Sequence, residues 1–181
     1  MTAATTPYEF EDDIVIALTL YAEAHGEKIP SPIDNPDFHG GYLSVGEVIL
    51  NRAAIAEEFN ESHSRRHPQF GDGSLVAVCL AQWQFSCWNT ADPQRPILIR
   101  LGRISPPANP ANPDFILALK YANLMLEDNL EAICGHTELT KGATHYLTKN
   151  AYEHAPSEHW CKSTKMLHTV DIGNHKFFRE R

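Results

Sequence analysis

The sequence lacks the features that mark several common protein classes. Its four cysteines form no C-x-x-C pair, which argues against a zinc ribbon or a thioredoxin-type redox site. Its apolar runs are far shorter than a membrane span, so we expect no membrane insertion. The formal net charge is −8, and the basic stretch at residues 63–67 is short and flanked by acids. We therefore expect no nucleic-acid partner.

The N-terminus also lacks a basic region followed by an apolar one, the pattern of a secretory signal peptide. We therefore expect synthesis in a cytoplasm, with the cysteines reduced. Ten histidines are present, but no H-E-x-x-H motif accompanies them. His63 and His67 have i, i+4 spacing, yet two arginines lie between them, so we expect no metal and no cofactor.

A chain of 181 residues with 43% hydrophobic content can form one domain, here residues 1–181, with residues 1–9 as a loose lead-in. Helical spacing of apolar residues and capping residues predict helices over residues 11–24, 44–59 and 74–80, and from residue 112 to before Gly135. Proline and glycine predict a long loop over residues 28–43 and an irregular segment over residues 82–110. A strand at residues 144–148 and a hairpin around Gly173-Asn174 complete a mainly helical α+β fold with a small β element.

Glu23 stands out among the acidic residues. It lies at the end of a predicted apolar helix that Gly26 can stop. The negative end of the helix dipole and an apolar setting both disfavour a charged carboxylate, which suits a general acid. The alternative is an ordinary exposed carboxylate, as most glutamates are.

Six short motifs follow one another along the chain. They are A-E-A-H-G-E at residues 22–27, V-I-L-N-R at 48–52, Q-F-S at 84–86, G-A-T-H-Y at 142–146, a loose P-x-W region at 156–160, and I-G-N-H-K-F at 172–177. In this order they resemble the SleB-type cell-wall hydrolase family, which includes spore-cortex-lytic enzymes and related phage and bacterial proteins. The sequence departs from that family at His25, which replaces an arginine, and in its longer loop at residues 28–43.

The resemblance implies a lysozyme-like fold and cleavage of the glycan strand of peptidoglycan between N-acetylmuramic acid and N-acetylglucosamine. It implies that Glu23 is the catalytic acid. We expect six further residues to contact substrate: Glu27, Gln84, Phe85, Ser86, His145 and Tyr146. Phe85 could equally belong to the core. Asn51 and Arg52 are predicted to form a buried hydrogen-bonding pair that ties the second helix to the active-site wall.

Two mechanisms remain open for Glu23. Hydrolysis usually needs a second carboxylate about 5 to 9.5 Å away, and Asp34, Asp37 and Glu47 are available. A lytic transglycosylase needs only one acid, because the 6-hydroxyl of the muramic acid attacks and forms a 1,6-anhydro product. We favour transglycosylation over a muramidase.

Three other classes compete with a glycosidase. A thiol amidase or endopeptidase could use Cys87, since Ser86-Cys87-Trp88 resembles the end of the papain-like motif, with His145 or with His175 and Asn174. The Cys-Gly that precedes the nucleophile in that motif is missing. A zinc amidase would need the ligand set that His63 and His67 do not complete. A non-catalytic glycan-binding module would have the cleft without a competent acid.

The expected partner is the glycan strand of peptidoglycan. We expect a compact monomer. Without a signal peptide, it suits a phage endolysin that is synthesised in the bacterial cytoplasm, released through a holin and acts on the cell wall. It equally suits a bacterial or prophage enzyme with another export partner.

Overall fold

The computed structural model describes residues 6–24, 26, 38–103, 112–130 and 138–181. Within these ranges the α-helices are α1 (Asp12–Ala24), α2 (Gly40–His63), α3 (Leu75–Leu80), α4 (Arg95–Arg103), α5 (Pro113–Leu126) and α6 (Lys149–His154). The strands are β1 (His145–Thr148), β2 (Met166–Ile172) and β3 (His175–Glu180), and short 3₁₀ helices occupy Pro7–Glu9, Ser86–Trp88 and Trp160–Lys162. This is the mainly helical α+β domain that the sequence predicts.

Helix α1 lies at the centre of the helical part. Residues 14–20 are all buried, and α2, α3, α4 and α5 each pack against the helix. A helix that is apolar on every side is stable only when other elements cover it all round. Because α1 ends at Ala24, Glu23 lies in its last turn, at the edge of this core.

The three strands form an antiparallel sheet in the order β1-β3-β2. Tyr146 pairs with Phe177, and both lie on the face that packs against Val48 of α2. Successive residues of a strand point to opposite faces. His145 and its partner Phe178 accordingly lie on the other face, where both rings contact Trp160.

Several local predictions are confirmed. Ser74 caps α3 and Asn112 caps α5, each accepting a hydrogen bond from a backbone N–H three residues on. The hairpin turns at Gly173, whose φ of 55° is the left-handed conformation that glycine adopts readily. None of the described helices is long and apolar enough to cross a membrane.

Helix α2 is longer than predicted at both ends. It begins at Gly40 because the ring nitrogen of His39 accepts a hydrogen bond from the N–H of Tyr42 and so caps the helix. Ser44, the predicted cap, instead donates its hydroxyl hydrogen to the carbonyl of Gly40 inside the helix. Residues 40–43 of the predicted loop are therefore helical, and residues 28–37 of that loop lie outside the described residues.

Helices α4 and α6 were not predicted. Within α4 Leu98 is buried and Ile99 and Leu101 are half-buried, whereas α6 has no buried residue. Pro96 of α4 is tolerated because it lies in the first turn. A Cβ at Gly102 would approach the ring of Phe10 to 2.9 Å, so α4 packs closely on the core through this glycine.

Glu47 ties α2 to the segment before β1. Its two carboxylate oxygens accept hydrogen bonds from the backbone N–H groups of Leu139 (2.9 Å) and Thr140 (2.7 Å). Burial raises the pKa of Glu47, and these hydrogen bonds partly offset that rise. Its oxygens already have backbone partners, which is the environment of a structural carboxylate.

The raised pKa of Glu47 should be visible in the pH dependence of stability. Its folded pKa lies above the ordinary value of 4.5, so the unfolded chain loses this proton first as pH rises. The free energy of unfolding should therefore fall, relative to Glu47→Gln, as pH rises from about 4.5 through the folded pKa, and be constant above it. Urea titrations of both proteins at several pH values measure this difference, with the exposed Glu61→Gln as control. A difference independent of pH would contradict the assignment.

Candidate active site

Glu23 lies where three distant parts of the chain meet. The half-buried carboxylate accepts a hydrogen bond from the hydroxyl of Tyr146 on β1 through Oε2, at 2.9 Å. Its Oε1 lies 3.5 Å from the backbone nitrogen of Cys87, a long hydrogen bond. Both oxygens are therefore oriented, one by the sheet and one by the segment at residues 84–88.

Tyr146 is held in place by its neighbours on the sheet. Its ring packs beside those of Phe177 (centroids 5.6 Å apart) and His175 (5.3 Å). Burial raises the pKa of Tyr146 well above its usual value, and the neighbouring charge of Glu23 raises it further. The phenol therefore keeps its proton and donates it in the hydrogen bond to Glu23.

The segment at residues 84–88 is anchored directly to α1. The indole N–H of Trp88 donates to the hydroxyl oxygen of Thr19 at 2.8 Å, and that hydroxyl donates to the carbonyl of Val15. Thr19 is fully buried and lies one turn before Glu23. The anchor therefore sets the position of the Cys87 N–H relative to Glu23. Sequence reasoning missed Thr19 and Trp88, and the available signal was a lone hydroxyl in an apolar helix.

Arg52 joins α2 to both segments that reach Glu23. Its Nε donates to the carbonyl of Thr144 at 2.7 Å, and its Nη1 donates to the carbonyl of Gln84 at 3.3 Å. The preceding residue, Asn51, donates to the carbonyl of Ala143 at 2.9 Å. The predicted hydrogen bonding of Asn51 and Arg52, which ties this helix to the neighbouring segments, is confirmed, with Arg52 buried and Asn51 half-buried.

The guanidinium of Arg52 is buried among aromatic rings. Arg52 is 4% exposed, and its central carbon lies 5.0 Å from the centre of the Phe85 ring and 5.7 Å from that of Phe70. Burial lowers the pKa of Arg52, whereas the charge of Glu23 acts in the opposite direction. A guanidinium remains protonated in proteins, so Arg52 is a fixed positive charge that interacts electrostatically with Glu23.

The predicted substrate-contacting residues fall into separate positions. Tyr146 contacts Glu23, whereas Gln84 is half-buried and uses its carbonyl to hold Arg52. Phe85 is 1% exposed and belongs to the core, the alternative that the sequence left open. Ser86 is exposed.

His145 lies on the opposite face of β1 from Tyr146. It lines a cavity of about 220 Å³, together with His67, Phe70, Arg179 and Glu180. Burial lowers the pKa of His145, and the positive charge of Arg52 lowers it further, which favours the neutral imidazole. His145 therefore points away from the face of β1 on which Tyr146 contacts Glu23. Glu27, His25, Asp34 and Asp37 lie outside the described residues.

Cys87 has the environment of a structural cysteine. It is 1% exposed, and burial, followed by the charge of Glu23, strongly raises the pKa of its thiol. Cys79 is fully buried, and its pKa is raised to about 12 by burial. A cysteine nucleophile needs an accessible thiolate, so these surroundings oppose a thiol peptidase.

The candidate zinc ligands are also engaged elsewhere. His63 stacks on Phe59, with ring centroids 4.1 Å apart, and His67 stacks on Phe70. Within the described ranges, no three histidine, cysteine or acidic side chains are grouped so that they could hold a metal ion.

The family model described as Cell Wall Hydrolase matches residues 38–178, more than half of the sequence. The chain belongs to the cell wall hydrolase family. It is therefore an enzyme that acts on peptidoglycan. The chain has no significant match among curated proteins or among solved structures. The matched part of this cell wall hydrolase contains Arg52, Cys87 and Tyr146, while Glu23 precedes it.

Replacement of Arg52 should destabilise this cell wall hydrolase. Arg52→Met keeps much of the packing on Phe85 but leaves the Thr144 and Gln84 carbonyls without their donors. We expect a loss of about 2–4 kcal/mol in the free energy of unfolding, measured by urea denaturation. The free energy of unfolding of Arg52→Lys should lie between those of the wild type and Arg52→Met, because an ammonium lacks the planar fork that reaches both carbonyls.

Arg66→Met is the matched control, since that arginine side chain is 81% exposed. Its stability should stay within about 0.5 kcal/mol of the wild type. Equal stability of Arg52→Met and Arg66→Met would contradict the role of Arg52.

Proposed function

We propose that this cell wall hydrolase cleaves the glycan strand between N-acetylmuramic acid and N-acetylglucosamine, with Glu23 as general acid and base. The position of Glu23 carries the proposal. It ends a buried helix, and it accepts hydrogen bonds from Tyr146 and from the backbone of Cys87, which both lie within the family match. A carboxylate oriented in this way, beside a sheet and a loop segment, suits proton transfer to a bound substrate.

The reaction begins with Glu23 protonated. Its proton passes to the glycosidic oxygen while the bond from that oxygen to C1 of the muramic acid breaks. The 6-hydroxyl of the same muramic acid then attacks C1, and the Glu23 carboxylate accepts the hydroxyl proton. The products are a 1,6-anhydromuramic end and a new 4-hydroxyl on the glucosamine, and Glu23 has regained its proton.

In this proposed reaction, Tyr146 stabilises the charged form of Glu23. Its hydroxyl donates to the carboxylate at 2.9 Å and stabilises it after the first proton transfer. Because the pKa of Tyr146 is raised, the phenol acts as a donor and does not compete as a base.

The environment of Glu47 favours transglycosylation over hydrolysis. Glu47 was available as a second carboxylate, but backbone N–H groups engage both of its oxygens. The single-acid reaction does not need such a residue, so we favour a lytic transglycosylase. A muramidase, with Asp34 or Asp37 as the second carboxylate, is the alternative.

The biological setting follows from this activity. We propose that the protein acts on the wall as a monomer, after release through a holin or another export partner, as a phage endolysin does. Gln84, Ser86, His145 and Glu27 remain predicted contacts for the glycan strand.

Glu23→Gln should abolish lysis of purified peptidoglycan, measured as loss of turbidity, because the amide cannot donate a proton to the leaving oxygen. Glu61→Gln, an exposed glutamate on α2, is the matched control and should retain full activity. Cys87→Ala should retain most activity, since it keeps the backbone N–H that contacts Glu23. An active Glu23→Gln with an inactive Cys87→Ala would favour the thiol mechanism instead.

Tyr146→Phe should lower kcat by about tenfold to a hundredfold, because it removes the hydrogen bond to Glu23 and keeps the ring. KM should change little, since the bond acts on the catalytic group. Tyr152→Phe is the control, because Tyr152 stacks on Phe178, away from Glu23. Initial rates on solubilised glycan strands measure both constants. An unchanged kcat for Tyr146→Phe would contradict this role.

A further inference from the structure

Two aromatic side chains project from the surface next to residues 84–88. Trp83 is 74% exposed and Tyr8 is 75% exposed, whereas Trp88 and Trp160 are 8% and 36% exposed. Trp83 also has a φ of 68°, in the left-handed region that bulky residues rarely adopt. Such a conformation persists only where the surrounding structure imposes it, and it is typical of functional positions.

Trp83 and Tyr8 stand between two surface depressions and line both. One depression has a volume of about 390 Å³ and also contains Gln82, Asn89, Thr90 and Arg95. The other has a volume of about 640 Å³ and also contains Arg66, His67, Gln69 and Gln84. Both therefore combine aromatic faces with amides and other hydrogen-bonding side chains. This combination suits a sugar ring, which has an apolar face and a rim of hydroxyl groups.

Trp83 is connected to Glu23 through a short, anchored segment. Gln84 follows Trp83 directly, and its carbonyl accepts a hydrogen bond from Arg52. Three residues further on, the N–H of Cys87 contacts Glu23. The anchor between Trp88 and Thr19 fixes the end of the same segment. The Trp83 end of the surface is thus held at a fixed position relative to the proposed catalytic acid.

We propose that Trp83 and Tyr8 form an outlying glycan subsite that binds a sugar ring of the same peptidoglycan strand, away from the bond at Glu23. The substrate class rests on the proposed function. A saccharide fits better than an anionic membrane surface, because the net charge of −8 opposes binding to anionic lipids. The subsite serves to hold long strands while Glu23 acts on one bond.

The direct test is binding of peptide-free glycan strands to the Glu23→Gln protein, measured by calorimetry. Adding Trp83→Ala should weaken binding about tenfold, as expected for loss of one stacked apolar face. Tyr8→Ala should also weaken it. Ile97→Ala is the control, since Ile97 is 53% exposed on α4 and should leave the affinity unchanged. Unchanged affinity in the Trp83→Ala variant would overturn the proposal.

Thermal stability separates a binding role from a structural one. Trp83→Gly places a residue that tolerates a positive φ at this position. We expect the melting temperature to stay the same or rise while glycan binding falls. A clear fall in melting temperature would assign Trp83 to the fold and overturn the subsite.

The same variants also test whether a membrane or a second copy of the chain occupies the surface at Trp83 and Tyr8. If Trp83→Ala reduces binding to vesicles of anionic phospholipid but not to glycan, the surface is a membrane contact and the proposal fails. If it converts a dimer into a monomer without changing glycan affinity, the proposal also fails. Catalysis is tested separately: retained lysis by Glu23→Gln would refute the proposed acid, whereas the effect of Trp83 on glycan affinity would still be measured.

Discussion

The geometry around Glu23 depends on the hydrogen bonds that Arg52 donates to two backbone carbonyls. One buried guanidinium holds the carbonyl of Thr144, just before β1, and the carbonyl of Gln84, at the start of the segment that reaches α1. A buried cation is costly unless its donors are satisfied. The two carbonyls and the rings of Phe70 and Phe85 offset the cost of burying the Arg52 guanidinium. The sheet and the segment therefore keep one position relative to the helices.

The consequence for Glu23 is that two different segments of the chain, both held by Arg52, supply its two partners. Tyr146 comes from β1, which Arg52 and Asn51 fasten to α2. The Cys87 N–H comes from a segment fastened at one end by Arg52 and at the other by the contact between Trp88 and Thr19. The carboxylate is oriented before substrate binds, and such preorganisation is what general acid catalysis needs.

Features that depend on local chemistry could be predicted from the sequence. The end of α1 near Glu23, the Asn112 cap and the turn at Gly173 all follow from residues close together in the chain. The pair at Asn51 and Arg52 was predicted because two polar residues interrupt an apolar helix. In each case a propensity or a pattern agrees with the packed structure.

Features that depend on tertiary packing could not be predicted. The contact between Trp88 and Thr19 joins residues 69 positions apart, and neither residue stands in a periodic pattern that would pair them. Helix α4 contains Pro96 and Gly102, which predict an irregular segment, and it packs as a helix against α1. The resemblance in the G-A-T-H-Y motif implied that His145 and Tyr146 both contact substrate, but the pleat of β1 sends them to opposite faces.

The central claim is that one oriented glutamate suffices for cleavage of the glycan strand. Mass spectrometry of the soluble products from purified peptidoglycan tests it most directly. The account predicts fragments that end in 1,6-anhydromuramic acid, with no new free amino groups. New reducing ends would contradict the single-acid mechanism, and new free amino groups would contradict glycan cleavage altogether.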